Sequence, residues 1–183
     1  MSIVIRRVRA DDWERVRDLR LEAVRDPDAA IAFLHSYEAE AAHPAAFWQD
    51  RAANAADGDA VAQFVAEADG EWIGTVTVIR WKDGDTDHHG RTVSPARGDV
   101  VGVYVRPQSR AAGVIDDLLG AAADWAAGLG DGALALDVHV DNRRAQGAYR
   151  RAGFADTGLR FTGSIGPELE MSRSLAAADS VAP

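Results

Sequence analysis

The dipeptide Asp69-Gly70 most constrains how this chain can fold. It separates two runs rich in Val, Ile, Thr and aromatic residues, Val61 to Glu67 and Glu71 to Trp81. Asp-Gly suits a two-residue hairpin because both turn positions want positive φ. The middle of the chain is thereby committed to paired strands, and the flanking patterns must be built around them.

Upstream, Ile3 to Val8 reads as a first strand. Asp11-Asp12-Trp13-Glu14 then reads as a helix start, with Asp11 as N-cap and Glu14 three places on. Trp13, Val16, Leu19 and Ala23 follow at helical spacing until Asp26-Pro27-Asp28 stops them. A second helical stretch covers Pro44 to about Ala53. Downstream, Lys82 to Gly98 is polar and rich in Gly and Asp, and reads as a loop. Asp99 to Val105 reads as a strand ended by Arg106-Pro107.

A helix is expected from Gly113 to about Ala127, its apolar face carried by Val114, Leu118, Ala121 and Trp125. Ala133 to Val140 reads as a strand and Asn142 to Ala152 as a short helix closed by Gly153. Strands near 157–161 and 168–174 precede a small-residue tail, 176–183, expected to fray. The order β-α-α-β-β-β-α-β-α-β-β shows no internal repeat and no linker. It predicts one α/β domain over residues 1–175, with a mixed α+β sheet.

With 183 residues, 47% hydrophobic and 27% charged, the chain is long enough for one well-formed core. It has no cysteine, which excludes disulfides, thiolate metal sites and a cysteine nucleophile. The first residues lack the apolar h-region of a secretory signal, and no run approaches the roughly 18 apolar residues of a membrane span. The cytoplasm is the expected location. A net charge of -9 repels phosphate backbones, so a nucleic-acid partner is disfavoured and cationic small molecules are favoured. The same charge also serves plain solubility.

Two segments carry the chemistry. The first, Val103-Tyr104-Val105-Arg106-Pro107-Gln108-Ser109-Arg110-Ala111-Ala112-Gly113-Val114-Ile115, leads from a strand through a loop into a helix. The second is Asn142-Arg143-Arg144-Ala145-Gln146-Gly147-Ala148-Tyr149-Arg150-Arg151-Ala152-Gly153-Phe154. Both resemble the GNAT acyltransferase superfamily. The first is similar to its diphosphate-binding segment, written Arg or Gln, two residues, Gly, one residue, then Gly or Ala. The second fills every position of Asn-x-x-Ala-x-x-x-Tyr-x-Lys/Arg-x-Gly-Phe. The resemblance spans roughly residues 3 to 175 and departs from the pattern at Ala111 and Ile115. If residue 111 needs positive φ, Ala costs about 1–2 kcal/mol relative to Gly. The Ile115 side chain stands where close approach of backbone to diphosphate is wanted.

The resemblance implies N-acetyl transfer from acetyl-CoA, as co-substrate, to a primary amine, directly in a ternary complex and without a metal. Helix N–H groups at Arg110, Ala111, Ala112, Gly113, Val114 and Ile115 would take the diphosphate, a charge that suits the positive end of a helix dipole. Main-chain groups of Val103, Tyr104 and Val105 would hold the pantetheine arm and polarise the acetyl carbonyl. Asn142 would bond the pantetheine amide, and Arg151 belongs to the same frame. Tyr149 would protonate the leaving thiolate, since a phenol of pKa about 10 can serve a thiol of about 8.5. Asp99 is the candidate base, and a solvated strand-end carboxylate is the competing reading. His139 and Asp137 share a strand face and form a second, weaker candidate pair.

Asp83-x-Asp85-x-Asp87-His88-His89-Gly90 has the look of a calcium loop, but Ser94 replaces the closing Glu. It is read as a solvated hairpin loop, with chance metal binding at the adjacent histidines. For the acceptor, Phe33, Tyr37, Phe47 and Trp48 are expected to line a pocket, with Asp28, Glu38 and Glu40 attracting a cation. A small-molecule amine is the expected partner, and a protein N-terminus or lysine is the close alternative. A non-catalytic acyl-CoA sensor or interaction module is the reading from another class. A dinucleotide oxidoreductase is remote, because no Gly-x-Gly-x-x-Gly follows the first strand. Family members often pair through their late strands, so the resemblance also implies a homodimer.

Overall fold

The computed structural model describes residues 3–175; the expected frayed tail lies outside them. Seven strands form one sheet in the order β1-β2-β3-β4-β5-β7-β6. They are β1 (Ile3–Arg7), β2 (Val61–Ala68), β3 (Glu71–Trp81), β4 (Arg97–Val105), β5 (Ala133–His139), β6 (Ala155–Gly163) and β7 (Gly166–Ser174). The helices are α1 (Trp13–Ala23), α2 (Tyr37–Ala41), α3 (Ala45–Ala56), α4 (Val114–Gly128) and α5 (Arg143–Arg151). No described helix is long and apolar enough to cross a membrane.

The Asp69-Gly70 turn forms as expected, both residues taking positive φ at 51° and 83°. It locks Ala68 opposite Glu71 and sets the register of β2 on β3. The start of α1 differs from the sequence reading. A short 3₁₀ turn over Ala10–Asp12 precedes it, and Asp12 rather than Asp11 accepts the Arg9 N–H at 2.8 Å. Arg6 of β1 holds the same carboxylate at 2.7 Å, an anchor that Asp11 does not make. The five-residue α2, capped by Ser36, was not foreseen; it is too short for a periodic pattern.

Two apolar layers flank the sheet. On one face Val114, Leu118, Leu119, Ala122 and Ala126 of α4 pack on Ala62, Phe64, Val76, Val78, Val100 and Leu134. On the other, Val16 and Leu19 of α1 and Trp48 and Ala52 of α3 pack on Val65, Trp72 and Tyr104. The α1/α3 layer covers only the first half of the sheet. Beyond it, strand register puts Asp99, Asp137, His139, Glu168 and Glu170 on that same face.

The sheet is nearly divided at its centre. β4 and β5, parallel neighbours, pair only at Gly98 with Leu134 and Asp99 with Ala135. Past that point they diverge. Four residues of β4, from Val101 to Tyr104, face three of β3, from Thr77 to Thr75, so β4 carries a bulge. Gly102 sits in it at φ 60°, a conformation glycine adopts without the steric cost of a Cβ. The bulge turns the outer half of β4 away from β5 and opens a wedge.

Candidate active site

A cavity of about 760 Å³ occupies that wedge and reaches both faces of the sheet. At one end lies the start of α4. The N–H groups of Ala111 to Ile115 have no protein acceptor among the described residues, and the first backbone bonds of the helix run from Asp116 and Asp117 to the Gly113 carbonyl. They form a ready anion site. Two ion pairs fix the segment: Arg106 with Glu22 of α1 at 2.9 Å, and Arg110 with Asp26 in the turn after α1.

This settles the conditional question at residue 111. Ala111 adopts φ 64° and Gly113 φ 79°, so the alanine occupies the left-handed region where glycine is favoured. Ile115 packs its side chain partly against the α4 core layer while still lining the cavity. Arg110 lines the cavity too, but its guanidinium is committed: Nε donates to the Val105 carbonyl at 2.9 Å and Nη2 to Asp26. Asp26 thus holds the guanidinium that stands beside the anion site.

Along the wedge, Val103, Tyr104 and Val105 line one wall and Leu136 and Val138 the other. Tyr104 turns its side chain into the α1/α3 layer, where its hydroxyl donates to Glu22 at 3.1 Å. Asn142 caps α5, accepting the Ala145 N–H at 3.1 Å. Tyr149, about two turns on, borders the cavity from the α4 side of the sheet. Burial pushes its hydroxyl up to about 12, so it stays protonated. That hydroxyl has no hydrogen-bond partner among the described residues. Arg151 lines the same end and is exposed.

The other end is polar. Asp99 is 3% exposed, and neither carboxylate oxygen makes a hydrogen bond. Arg97 Nε stands 2.9 Å from Oδ1 but off the line a hydrogen bond needs. Burial raises Asp99 to about 6, against the opposing pull of Arg97. Glu168 is raised for the same reason and leaves Oε2 unpartnered. Five carboxylates, Asp87, Asp99, Asp137, Glu168 and Glu170, share this face with Arg91 and Arg97. His89, held below its usual pKa mainly by burial, contributes no reliable third charge at neutral pH. The site is short of positive charge.

Several sequence expectations are revised here. Asp137 pairs with Arg91 at 2.7 Å and His89 at 3.2 Å, not with His139. His139 instead accepts the Asp141 N–H on Nδ1. The 82–96 loop is a hairpin as expected, with Thr86 bridged to Thr92, yet it is not merely solvated. Asp87 and Val93 are buried and His88 and His89 line the cavity, so the loop roofs the polar face. Phe33 lines the cavity; Tyr37 and Trp48 do not. Trp48 is 1% exposed in the α1/α3 core, and Tyr37 lies beneath the Arg25 guanidinium. Aromatic type alone could not distinguish a pocket wall from a core. Arg20, Arg51 and Arg97 were not foreseen, since each gains meaning only from long-range placement.

His88, His89 and Asp137 bring three ligand atoms within 4.8 Å of one another. The Arg91 guanidinium already occupies Asp137, which weighs against a cation there.

The acetyltransferase (GNAT) family model matches residues 13–154, most of the chain. The chain belongs to the GNAT family. Its fold agrees with an acetyltransferase of the GNAT family from Streptococcus pneumoniae at TM-score 0.75 and 18% identity, covering 96% of this chain and 100% of that one. A phosphinothricin acetyltransferase from Sinorhizobium meliloti, in complex with AcCoA, gives 0.72 at 18% identity, with 100% and 94% covered. PaiA N-acetyltransferase from Thermoplasma acidophilum, in complex with coenzyme A, gives 0.71 at 19%, with 95% and 99% covered. A comparison with curated proteins gave no match. At these identities the structures establish a GNAT fold.

Proposed function

We propose that this GNAT protein transfers the acetyl group of acetyl-CoA directly to the primary amine of a small molecule. The observation that carries the reading is the meeting of Asp99 and Tyr149, from opposite faces of the sheet, in one cavity that passes through its split. The free N–H groups of residues 111–115 fit an anionic diphosphate, and solved GNAT structures with coenzyme A or AcCoA share the fold. Asp99, with a pKa near neutrality, accepts a proton from the substrate ammonium. The freed amine attacks the acetyl carbon, whose oxygen is polarised by main-chain N–H groups of the bulged β4. The new C–N bond forms as the C–S bond breaks. Tyr149 gives its proton to the departing sulfur, and the proton lost by the amine restores the balance.

The reading places the protein in the cytoplasm. It gives contact with a second copy to β6, an outer strand, seven of whose nine residues are exposed, with an unbroken run from Ala155 to Arg160.

The test is calorimetric titration with acetyl-CoA, followed by thiol release across an amine panel, for the wild type, Tyr149→Phe and Asp99→Asn. Micromolar binding by all three, with turnover lost in the two variants, is expected. Absence of binding at millimolar coenzyme overturns the enzyme reading. It would favour the non-catalytic module, which Ala111 at positive φ and the capture of Arg110 by Asp26 also support.

A further inference from the structure

On the α1/α3 side of the cavity, Arg20 and Arg51 stand together around a single carboxylate. Glu40 is 1% exposed and accepts both Arg20 Nε at 2.9 Å and Arg20 Nη2 at 2.7 Å on the same oxygen, Oε1. Arg51 makes no hydrogen bond and no ion pair among the described residues, although it is half-buried and lines the cavity. Two guanidiniums thus surround one carboxylate, leaving one positive charge over. Burial and the like charge of Arg20 lower the Arg51 pKa, and Glu40 only partly offsets them. Such a cation is costly unless something anionic completes it.

Arg51 also borders a narrow cleft with Thr75, Thr77 and Gly102, which places it beside the β4 bulge. Asp99 stands three residues before Gly102 on β4, a main-chain span on the order of 10 Å at strand rise. One cavity therefore holds a buried carboxylate without a hydrogen bond and, further along β4, a guanidinium that rests over the Trp48 ring but has no anionic partner among the described residues.

We propose that the acceptor amine also carries an anionic group, a carboxylate or its phosphorus analogue, and that Arg51 binds it. The ammonium faces Asp99 and the anion meets Arg51, so an amino acid or short amino-acid derivative satisfies both orphan charges. A polyamine satisfies only the first. Arg51 is then the specificity residue, because a guanidinium offers a planar two-point match to a carboxylate. This inference rests on the acetyltransferase reading.

The test compares acceptors of similar length, glutamate and 4-aminobutyrate against 4-aminobutyramide and 1,4-diaminobutane, at saturating acetyl-CoA. For the wild type, kcat/KM should favour the acids by tenfold or more. Arg51→Gln should lower kcat/KM for the acids by about 100-fold, chiefly through KM, and change the amide and diamine less than threefold. Arg51→Lys should recover part of the loss. A preference for the diamine, or an equal loss for all acceptors in a variant that still binds coenzyme, overturns the proposal. If coenzyme binds but no amine is acetylated, the acetyltransferase reading has failed instead. The anion site is then judged by calorimetry of N-acetylglutamate. Binding by the wild type that Arg51→Gln abolishes sustains it, and absent or unchanged binding overturns it.

Discussion

Asp99 is buried without a hydrogen bond, and that condition has consequences for both stability and catalysis. Its carboxyl is raised from 3.8 to about 6, so the folded protein retains a proton that the unfolded chain releases. Stability associated with that proton is present below pH about 4 and is lost as pH rises through about 6, a cost of order 3 kcal/mol at neutrality. Asp99→Asn is therefore expected to raise the melting temperature at pH 7.5 but not at pH 4, measured by calorimetry. The same substitution should lower kcat/KM by about 10²–10⁴-fold and remove the limb of the pH profile that rises through about 6 in the wild type. Tyr149 is of the opposite kind. Held protonated to about 12, it gives no titration below pH 9, and Tyr149→Phe should depress kcat while leaving coenzyme affinity within threefold. Asp99 and Tyr149 were both singled out in the sequence, one as a strand-head carboxylate and the other by a fully matching helix motif, and both line the one cavity. Arg51 was not, because an unpaired charge is defined by what surrounds it.

Among the elements, the loop into α4 and the 82–96 hairpin carry the local tensions. Ala111 holds φ 64° at an exposed position, where a glycine would relieve steric strain but lose more chain entropy on folding. Ala111→Gly should raise stability by up to about 1 kcal/mol, read from the urea midpoint, and tighten acetyl-CoA binding by up to tenfold. In the hairpin, Arg91 bridges Asp87 at 2.8 Å and Asp137 at 2.7 Å. Arg91→Ala would leave two buried carboxylates without their main partner, and a loss of about 3 kcal/mol is expected by denaturant unfolding. Element order was readable because the hairpin turn, the helix periods and the caps are local signals. The path of residues 82–96 was not. Polar composition marks a loop equally well whether it projects into water or folds over buried carboxylates, and the Asp87–Arg91–Asp137 bridge joins residues far apart in sequence.

At the scale of the whole molecule the decisive feature is how little main chain joins β4 to β5. A ligand that fills the wedge binds only the folded state, so acetyl-CoA at one hundred times its Kd should add about 2.7 kcal/mol. For a domain of this length that is a rise of roughly 5–11 °C in melting temperature, with slowed amide exchange at Val103 to Val105. The two-residue join has a mechanical side as well. The sheet behaves as two plates spot-welded at one corner, and α4, which packs on both Val78 and Leu136, is the brace across the seam. Pulled apart at its ends, such a molecule has a built-in tear line. The halves should part in two force steps, the first when the brace leaves the plates, and a bound ligand would act as a rivet that merges them into one.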